Sequence, residues 1–153
     1  KWPYKFTLSE IQCAAGYLML KRVNNLNQLR IKRAKKIIQN LKLYEEIKFF
    51  SEFKNKRHVY HLISAHIESK QFDRNDLIEI LFKKFKIKCV VQYYPLYKYP
   101  LFKKMGFEKN NCPNTEKFYK NMISFPFHVW MSNGEFLQMI ESIEKAVNIL
   151  RKN

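Results

Sequence analysis

Four tyrosines, two prolines and a lysine fall within residues 92–102, directly after the β-branched segment 87–91. A tyrosine ring offers a flat apolar face with a hydroxyl at its tip, and proline stiffens the backbone that carries it. Such side chains bind ligands by packing and hydrogen bonding, and they do not titrate near neutral pH. The composition therefore predicts a preformed binding surface in this segment.

The other residue types that carry chemistry do not form a catalytic or metal-binding pattern. The three glycines, at positions 16, 106 and 134, are far apart, which argues against a glycine-rich phosphate loop. No Gly-x-Ser-x-Gly motif is present. The adjacent carboxylates Glu45 and Glu46 diverge around a predicted helix end, and the four histidines are not spaced as three ligands of one metal. The sequence thus predicts no catalytic residue and no metal site.

Capping residues and apolar spacing predict two helical stretches at the start of the chain. Ser9, followed by Gln12 three residues later, indicates that the first helix begins near Ser9. The pair Asn24-Asn25 predicts a break or bend. A second stretch then carries an apolar stripe over 26–41, with most of its arginines and lysines on the opposite side.

The rest of the chain alternates predicted strands and helices. The predicted strands cover 59–67, 87–94 and 122–127. Between and after them, we expect a helix capped by Asp73, a short helix ended by Gly106, another opened by Asn114 or Thr115, and a last helix from Ser132. This order predicts an α+β domain with a short, mainly antiparallel sheet of about three strands covered by helices and preceded by long linking helices.

Composition limits the classes of function. A chain of 153 residues with 46% hydrophobic content can bury one core without disulfides, and its three widely spaced cysteines predict free thiols in a reducing cytoplasm. The net charge of +16 is dispersed in runs no longer than pairs, which favours solvated lysine faces over nucleic-acid binding. No stretch is apolar for long enough to cross a bilayer. We therefore expect a cytoplasmic protein without a membrane or nucleic-acid partner.

Four segments resemble those of one enzyme family and occur in the same order. They are Pro-Tyr-Lys-Phe-Thr-Leu-Ser-Glu-Ile-Gln-Cys-Ala-Ala-Gly at 3–16, Tyr-His-Leu at 60–62, Val-Gln-Tyr-Tyr-Pro-Leu-Tyr at 91–97 and Ile-Ser-Phe-Pro-Phe at 123–127. They resemble the Gly-Tyr-Asn-Tyr-Arg-Met-Thr-Glu-Leu-Gln, Tyr-His-Leu, Val-His-Tyr-x-Pro-Leu-His and Leu-Ser-Leu-Pro-Leu motifs of the DegT/DnrJ/EryC1/StrS aminotransferases. These are pyridoxal-phosphate enzymes that aminate nucleotide-linked keto-sugars.

The resemblance implies the C-terminal part of such an enzyme, with the small domain of the aspartate-aminotransferase fold (pyridoxal-phosphate fold type I). Residues 1–50 would form linking helices and a cofactor-facing loop, residues 51–153 the small α+β domain, and the large cofactor-binding domain would be absent. The first residue, Lys1, agrees with a chain cropped from a longer one. The family's Schiff-base lysine lies in the large domain. The isolated chain is therefore expected neither to hold pyridoxal phosphate nor to transaminate.

The resemblance also assigns a cofactor-binding pair. Aligned on Gln12, Lys5 stands where the family has a phosphate-contacting asparagine and Thr7 where it has arginine or lysine. In the full-length parent, which the resemblance implies is a homodimer, both would lie near the partner subunit's cofactor phosphate.

A second set of residues is assigned to the nucleotide-sugar substrate: Tyr4, Gln92, Tyr93 and Tyr97. Gln92 and Tyr97 replace histidines of the family, so they can hydrogen-bond the substrate but do not titrate near neutral pH. We therefore expect these residues to position the sugar and not to transfer protons.

Two other functions remain open. One is a stand-alone basic α+β module that binds an anionic polymer or a protein partner, and another is a domain used for dimerisation without chemistry. The upstream reading frame separates the module from the enzyme. A contiguous large domain with its lysine supports the aminotransferase, whereas a start codon just before Trp2 supports the module.

Overall fold

A computed structural model describes residues 7–51, 54–109 and 112–152 of the chain. In order along the chain, the elements are α1 (Glu10–Leu41), β1 (Ile47–Phe49), β2 (Ile63–Ile67), α2 (Arg74–Phe85), α3 (Pro100–Lys104), α4 (Pro113–Asn121), β3 (Met122–Phe125) and α5 (Asn133–Leu150). Two 3-10 turns, Leu96–Lys98 and Phe107–Lys109, flank α3. Among the described residues, no helix combines the length and the apolar character that a membrane span requires.

Helix α1 runs without a break for 32 residues. Its predicted start is confirmed, because the Ser9 hydroxyl accepts from the Gln12 amide while the Gln12 side chain accepts from the Ser9 amide. The predicted break at Asn24-Asn25 is wrong. Asparagine costs a helix no more than about 0.7 kcal/mol relative to alanine, too little to interrupt a run that is capped at one end and packed at the other.

The three strands form one antiparallel sheet in the order β1-β2-β3. The sheet agrees with the predicted fold class, but its strands differ from those predicted. Strand β1 was not predicted, because three residues are too few for a pattern. The predicted strand 59–67 begins only at Ile63, since Tyr60 has a φ of 51° and cannot continue an extended chain.

The predicted strand 87–94 is wrong as well. This segment joins the sheet through a single bridge, in which Val90 and Ser124 exchange backbone hydrogen bonds. The next amide on the same edge, that of Gln92, bonds the Met122 sulfur at 3.3 Å instead of a backbone carbonyl, so no ladder forms. The third predicted strand is confirmed over 122–125 and ends before Pro126, which has no amide hydrogen to donate.

The core lies between one face of the sheet and three helices. Ile63, Ala65 and Ile67 are buried at alternate positions of β2, and side chains of α1, α2 and α5 cover them. The fully buried helical residues among these are Ala34, Ile37, Leu41, Leu77, Leu81, Ile143, Ala146 and Val147. The sheet and the helices thus hold each other in place by burying apolar surface.

The other predicted helices are present, and each begins or ends within two residues of the predicted position. Capping boxes at Asp73 and Ser132 open α2 and α5. Helix α3 ends two residues before Gly106, whose φ of 86° suits glycine. Helix α4 begins at Pro113, one residue before the predicted Asn114, because proline is well suited to the first helical position.

The two ends of α1 have different surroundings. Residues 34–41 contribute three buried side chains to the core, whereas every residue from 7 to 25 is exposed. The exposed part includes Leu8, Ile11, Leu18 and Leu20, each more than half exposed. The division of the chain at residue 50 stays a prediction, and strand β1, which precedes it, is hydrogen-bonded into the sheet.

Candidate functional site

Residues 92–102, here called the tyrosine loop, leave the sheet beside β3 and lead into α3. The peptide bond between Gln92 and Tyr93 is cis, and Pro95 is buried. The 3-10 turn Leu96–Lys98 follows, and Pro100 opens α3 at a position where its missing amide hydrogen is not needed. Proline thus fixes the backbone at both ends of the turn.

The Glu116 carboxylate of α4 ties down the middle of the tyrosine loop. One of its oxygens accepts a hydrogen bond from the Tyr97 hydroxyl, and the other accepts one from the Lys98 ammonium group. Lys98 and Glu116 are each about one third exposed, so water reaches this cluster. The loop is therefore held to α4 by charge-assisted hydrogen bonds.

These contacts shift three pKa values in the directions that the hydrogen bonds require. The hydrogen bond to Glu116 raises the pKa of Tyr97 to about 12, because the carboxylate opposes loss of the phenol proton. The Lys98 ammonium, and next the Tyr97 hydroxyl, lower the pKa of Glu116. The hydrogen bond to Glu116 raises the pKa of Lys98. At neutral pH, Tyr97 is therefore a neutral hydrogen-bond donor and Glu116 is a carboxylate.

The other aromatic rings of the loop pack mainly on one another. Tyr94 meets Tyr99 edge-on at 5.1 Å between ring centroids and Tyr119 of α4 at 5.4 Å. Tyr93 instead is 71% exposed, and its hydroxyl lies 3.4 Å from the Gln92 side-chain nitrogen. The loop thus has a packed side toward α4 and an exposed side that carries Tyr93.

The predicted site residues fall in three places. Gln92, Tyr93 and Tyr97 lie together on the tyrosine loop, where Gln92 is half-buried and its buried Oε1 accepts no hydrogen bond from any residue that the structure describes. Thr7 lies on a different element and is exposed, three residues before α1 begins. Tyr4 and Lys5 lie outside the described residues, so their assignments stay predictions.

Sequence reasoning missed the residues that fix the neighbouring loops. The Arg30 guanidinium donates to the carbonyls of Tyr60 and His61, both at 2.8 Å, and stacks on the Phe127 ring at 4.8 Å. Arg33 donates to the carbonyls of His128 and Met131 at 2.7 and 2.6 Å. Both arginines were expected on the solvent side of α1, yet both are half-buried. Their spacing of three residues on one helix is the only sequence signal that they act together.

A cavity of about 390 Å³ opens at the start of β2, and none of the predicted site residues lines it. Its walls include Phe49, Phe50, Tyr60 and Phe118. Phe50 and Phe118 also contact the His66 ring at centroid distances of 4.8 and 5.0 Å, and burial lowers the pKa of His66. His66 is therefore an aromatic packing group in this structure.

The histidines and acidic residues do not form a metal site in the described part of the chain, where no group of three or more potential ligands comes together. His58 has a structural contact instead: its Nδ1 accepts from the Tyr60 amide at 3.2 Å. That hydrogen bond and the Arg30 contact hold Tyr60 in its left-handed conformation.

The sequence matches the DegT/DnrJ/EryC1/StrS aminotransferase family over residues 2–144. The chain belongs to this family. The resemblance read from the four segments is thereby confirmed, and the tyrosine loop lies within the matched region.

Solved structures and a curated relative of the family agree with this assignment. The putative sugar aminotransferase Spr1654 from Streptococcus pneumoniae, in its PMP form, superposes with a TM-score of 0.84 at 25% identity, covering 96% of this chain. PseC of Helicobacter pylori, an aminotransferase involved in the biosynthesis of pseudoaminic acid, gives 0.83 at 26% identity over 95%. The spore coat polysaccharide biosynthesis protein SpsC of Bacillus subtilis is 24% identical over 94% of the chain.

The match covers only part of each of these proteins. The chain spans 37% and 39% of the two solved chains and 38% of the length of SpsC. Since both solved proteins are sugar aminotransferases of pyridoxal-phosphate fold type I, the predicted fold class is confirmed.

The described lysines do not fit the attachment of pyridoxal phosphate. A lysine that forms a Schiff base is normally desolvated, which lowers its pKa. Every lysine whose side chain the structure describes is exposed, except Lys98, which is about one third exposed and has a raised pKa. No step through the cofactor can therefore be assigned to the described residues of this chain.

Proposed function

We propose that this chain acts as the C-terminal small domain of a pyridoxal-phosphate-dependent aminotransferase whose substrates are nucleotide-linked keto-sugars for surface-polysaccharide biosynthesis. One observation carries the proposal: nearly the whole chain superposes on a sugar aminotransferase with a TM-score of 0.84. The polysaccharide role rests on the similarity to SpsC, whose name places it in spore coat polysaccharide biosynthesis.

The large cofactor-binding domain would complete the enzyme. Residues 1–50 would link the two domains and residues 51–153 would form the small one. The exposed apolar residues between Ile11 and Val23 of α1 support this arrangement, because an apolar helix surface of this length is normally covered. The isolated chain would then neither hold the cofactor nor transaminate, and the complete enzyme would be a cytoplasmic homodimer.

Within that enzyme, Lys5 and Thr7 would contact the cofactor phosphate of the partner subunit. Tyr4, Gln92, Tyr93 and Tyr97 would position the sugar substrate. The hydroxyl of the exposed Tyr93 and the Gln92 Oε1, to which no described residue donates, support this role, since both can form further hydrogen bonds. The Tyr97 hydroxyl donates to Glu116, so its oxygen would accept from a sugar hydroxyl.

A chimeric enzyme tests the proposal. Residues 1–153 replace the matching part of Spr1654, and retention of pyridoxal phosphate is followed by visible absorbance after gel filtration. We expect a dimer that keeps the cofactor. In this chimera, Tyr97→Phe should raise KM for the keto-sugar more than it lowers kcat. A chimera that folds but does not retain the cofactor would argue against the proposal.

The net charge of +16 and the exposed lysines favour a second candidate, a stand-alone basic module that binds an anionic polymer. Filter binding of the 153-residue chain to heparin at physiological salt separates the two candidates. Tight binding by the chain, together with a chimera that loses cofactor, would favour the module.

A further inference from the structure

A basic cleft of about 900 Å³ lies between α4 and the connection from β2 to α2. Its lining includes five basic residues, Lys70, Arg74, Lys98, Lys117 and Lys120, and three acidic ones, Glu68, Asp73 and Glu116. The cleft therefore has an excess of two positive charges, and it is large enough for a small-molecule ligand.

Two of the three carboxylates are already engaged by the protein. Asp73 accepts from the amides of Asn75 and Asp76 at the start of α2, and Glu116 binds Tyr97 and Lys98. In the described part of the chain, the ammonium groups of Lys70, Lys117 and Lys120 have no carboxylate within ion-pair distance. These three cations are thus available to a ligand.

Arg74, which lines the cleft, is a buried cation that forms no ion pair with a carboxylate in the described part of the chain. The residue is 7% exposed, its Nη1 donates to the Met122 carbonyl at 3.2 Å, and its guanidinium carbon lies 5.5 Å from the centre of the Tyr119 ring. Among the described residues, its Nε finds no hydrogen-bond partner. A buried charge is costly unless it is paired, so an anion in the cleft would stabilise Arg74.

We propose that this cleft binds a diphosphate group. Cations on both walls, together with the buried guanidinium, suit a ligand with several negative charges in preference to a single carboxylate. The inference does not depend on the proposed aminotransferase function, because Lys70, Arg74, Lys117 and Lys120, which carry it, are not assigned to the cofactor or the sugar and binding alone tests it. If both hold, the cleft would be a second anion site of the same domain.

The test is isothermal titration calorimetry of the 153-residue chain with inorganic pyrophosphate at about 0.15 M salt, where surface charge is largely screened. Two triple variants are compared. The test variant is Lys70→Gln/Lys117→Gln/Lys120→Gln. The control variant, Lys35→Gln/Lys36→Gln/Lys152→Gln, removes the same charge from exposed positions outside the cleft. We expect saturable one-site binding that the first variant weakens by roughly tenfold or more and the control by less than about twofold. Equal weakening in both variants, or no saturable binding to the unmodified chain, would overturn the proposal.

Amide chemical shifts locate the bound probe independently. We expect pyrophosphate to perturb residues 68–75 and 116–121. Perturbations spread along the exposed lysines of α1 instead would show attraction to the net charge and would also overturn the proposal. Failure of either experiment leaves the chimera result unchanged, so the two proposals can fail separately.

Discussion

The Tyr97 hydroxyl donates a hydrogen bond to the Glu116 carboxylate, 19 residues further along the chain. The same carboxylate binds Lys98, so one side chain of α4 fixes two consecutive residues of the tyrosine loop. The loop that carries Gln92 and Tyr93 therefore depends for its shape on a residue outside it. A change at Glu116 is expected to act on the loop as a whole.

Glu116→Gln should loosen the tyrosine loop without unfolding the domain. The amide keeps the size of the side chain but removes the charge that both donors bind, and the cluster is open to water, so the melting temperature should change little. Hydrogen exchange of residues 92–102 should become faster. Glu141→Gln on α5 is the control, because it removes a more exposed carboxylate that pairs with Lys145 and lies outside the loop. Unchanged exchange in the loop would contradict the anchoring role of Glu116.

Arg151→Met should destabilise the fold through Glu46. Arg151 Nε and Nη2 contact the two Glu46 carboxylate oxygens at 2.7 and 2.8 Å, and Glu46 is only 9% exposed. Loss of the pair leaves a largely buried carboxylate unpaired, which should cost about 2 kcal/mol because Arg151 itself is partly exposed. This corresponds to a fall in Tm of roughly 4–8 °C. Lys152→Met, which removes an adjacent exposed charge, should leave Tm nearly unchanged.

The effect of Arg151→Met should depend on pH in a definite direction. The hydrogen bond from Arg151 lowers the pKa of Glu46 below its usual 4.5. The ion pair therefore stabilises the folded chain above that pH, and its contribution is lost as the pH falls through the folded-state pKa. The difference in Tm between the unmodified chain and Arg151→Met should be largest near neutral pH and shrink below pH 4.5. A difference that grows on acidification would be inconsistent with this pairing.

Arg30→Ala should release the segment before β2. Arg30 donates to the carbonyls of the buried Tyr60 and the exposed His61, and hydrogen bonds from a charged donor of this kind suggest a cost of about 2 kcal/mol. Arg30→Lys should recover little, because an ammonium group lacks the planar fork that reaches both carbonyls. Denaturant unfolding measures the cost, with Arg22→Ala on the exposed part of α1 as control. If the alanine and lysine variants were both as stable as the unmodified chain, the role of Arg30 in holding this segment would be refuted.

The two halves of α1 should exchange amide hydrogens at very different rates. Residues 34–41 pack in the core, whereas residues 10–25 are exposed, and an isolated helix of that length is only marginally stable in water. We expect weak protection over 10–25 and strong protection over 34–41 in the isolated chain. In the chimera, protection over 10–25 should rise as the large domain covers it. Strong protection of 10–25 in the isolated chain at low concentration would contradict this.

Local signals in the sequence predicted local structure well. The helix caps predicted at Ser9, Asp73 and Ser132 are all confirmed, and in each the capping contacts join residues only three apart. The predicted break at Asn24-Asn25 failed because packing of the C-terminal half of α1 outweighs a weak propensity. The segment 87–94 looked like a strand from its β-branched residues, but strand formation depends on a partner edge, which no local pattern contains.

The contacts that shape the candidate site could not be predicted from spacing. Tyr97 and Glu116 are 19 residues apart, and Arg30 and Tyr60 are 30 apart, with no periodic pattern that joins them. The composition of the tyrosine loop predicted a binding surface, and the family motifs assigned its residues. Which of its tyrosines is exposed and which is tied to α4 follows only from the packed fold, where Tyr93 is 71% exposed and Tyr97 is half-buried.

Turnover by the chimera of Spr1654 and residues 1–153 tests the central claim most directly. The measurement is kcat/KM for transamination of a nucleotide-linked keto-sugar. The account predicts measurable turnover by the chimera and none by the isolated 153-residue chain. The account would be contradicted by a chimera that folds, dimerises and retains pyridoxal phosphate, yet aminates none of the nucleotide-linked keto-sugars that unmodified Spr1654 accepts.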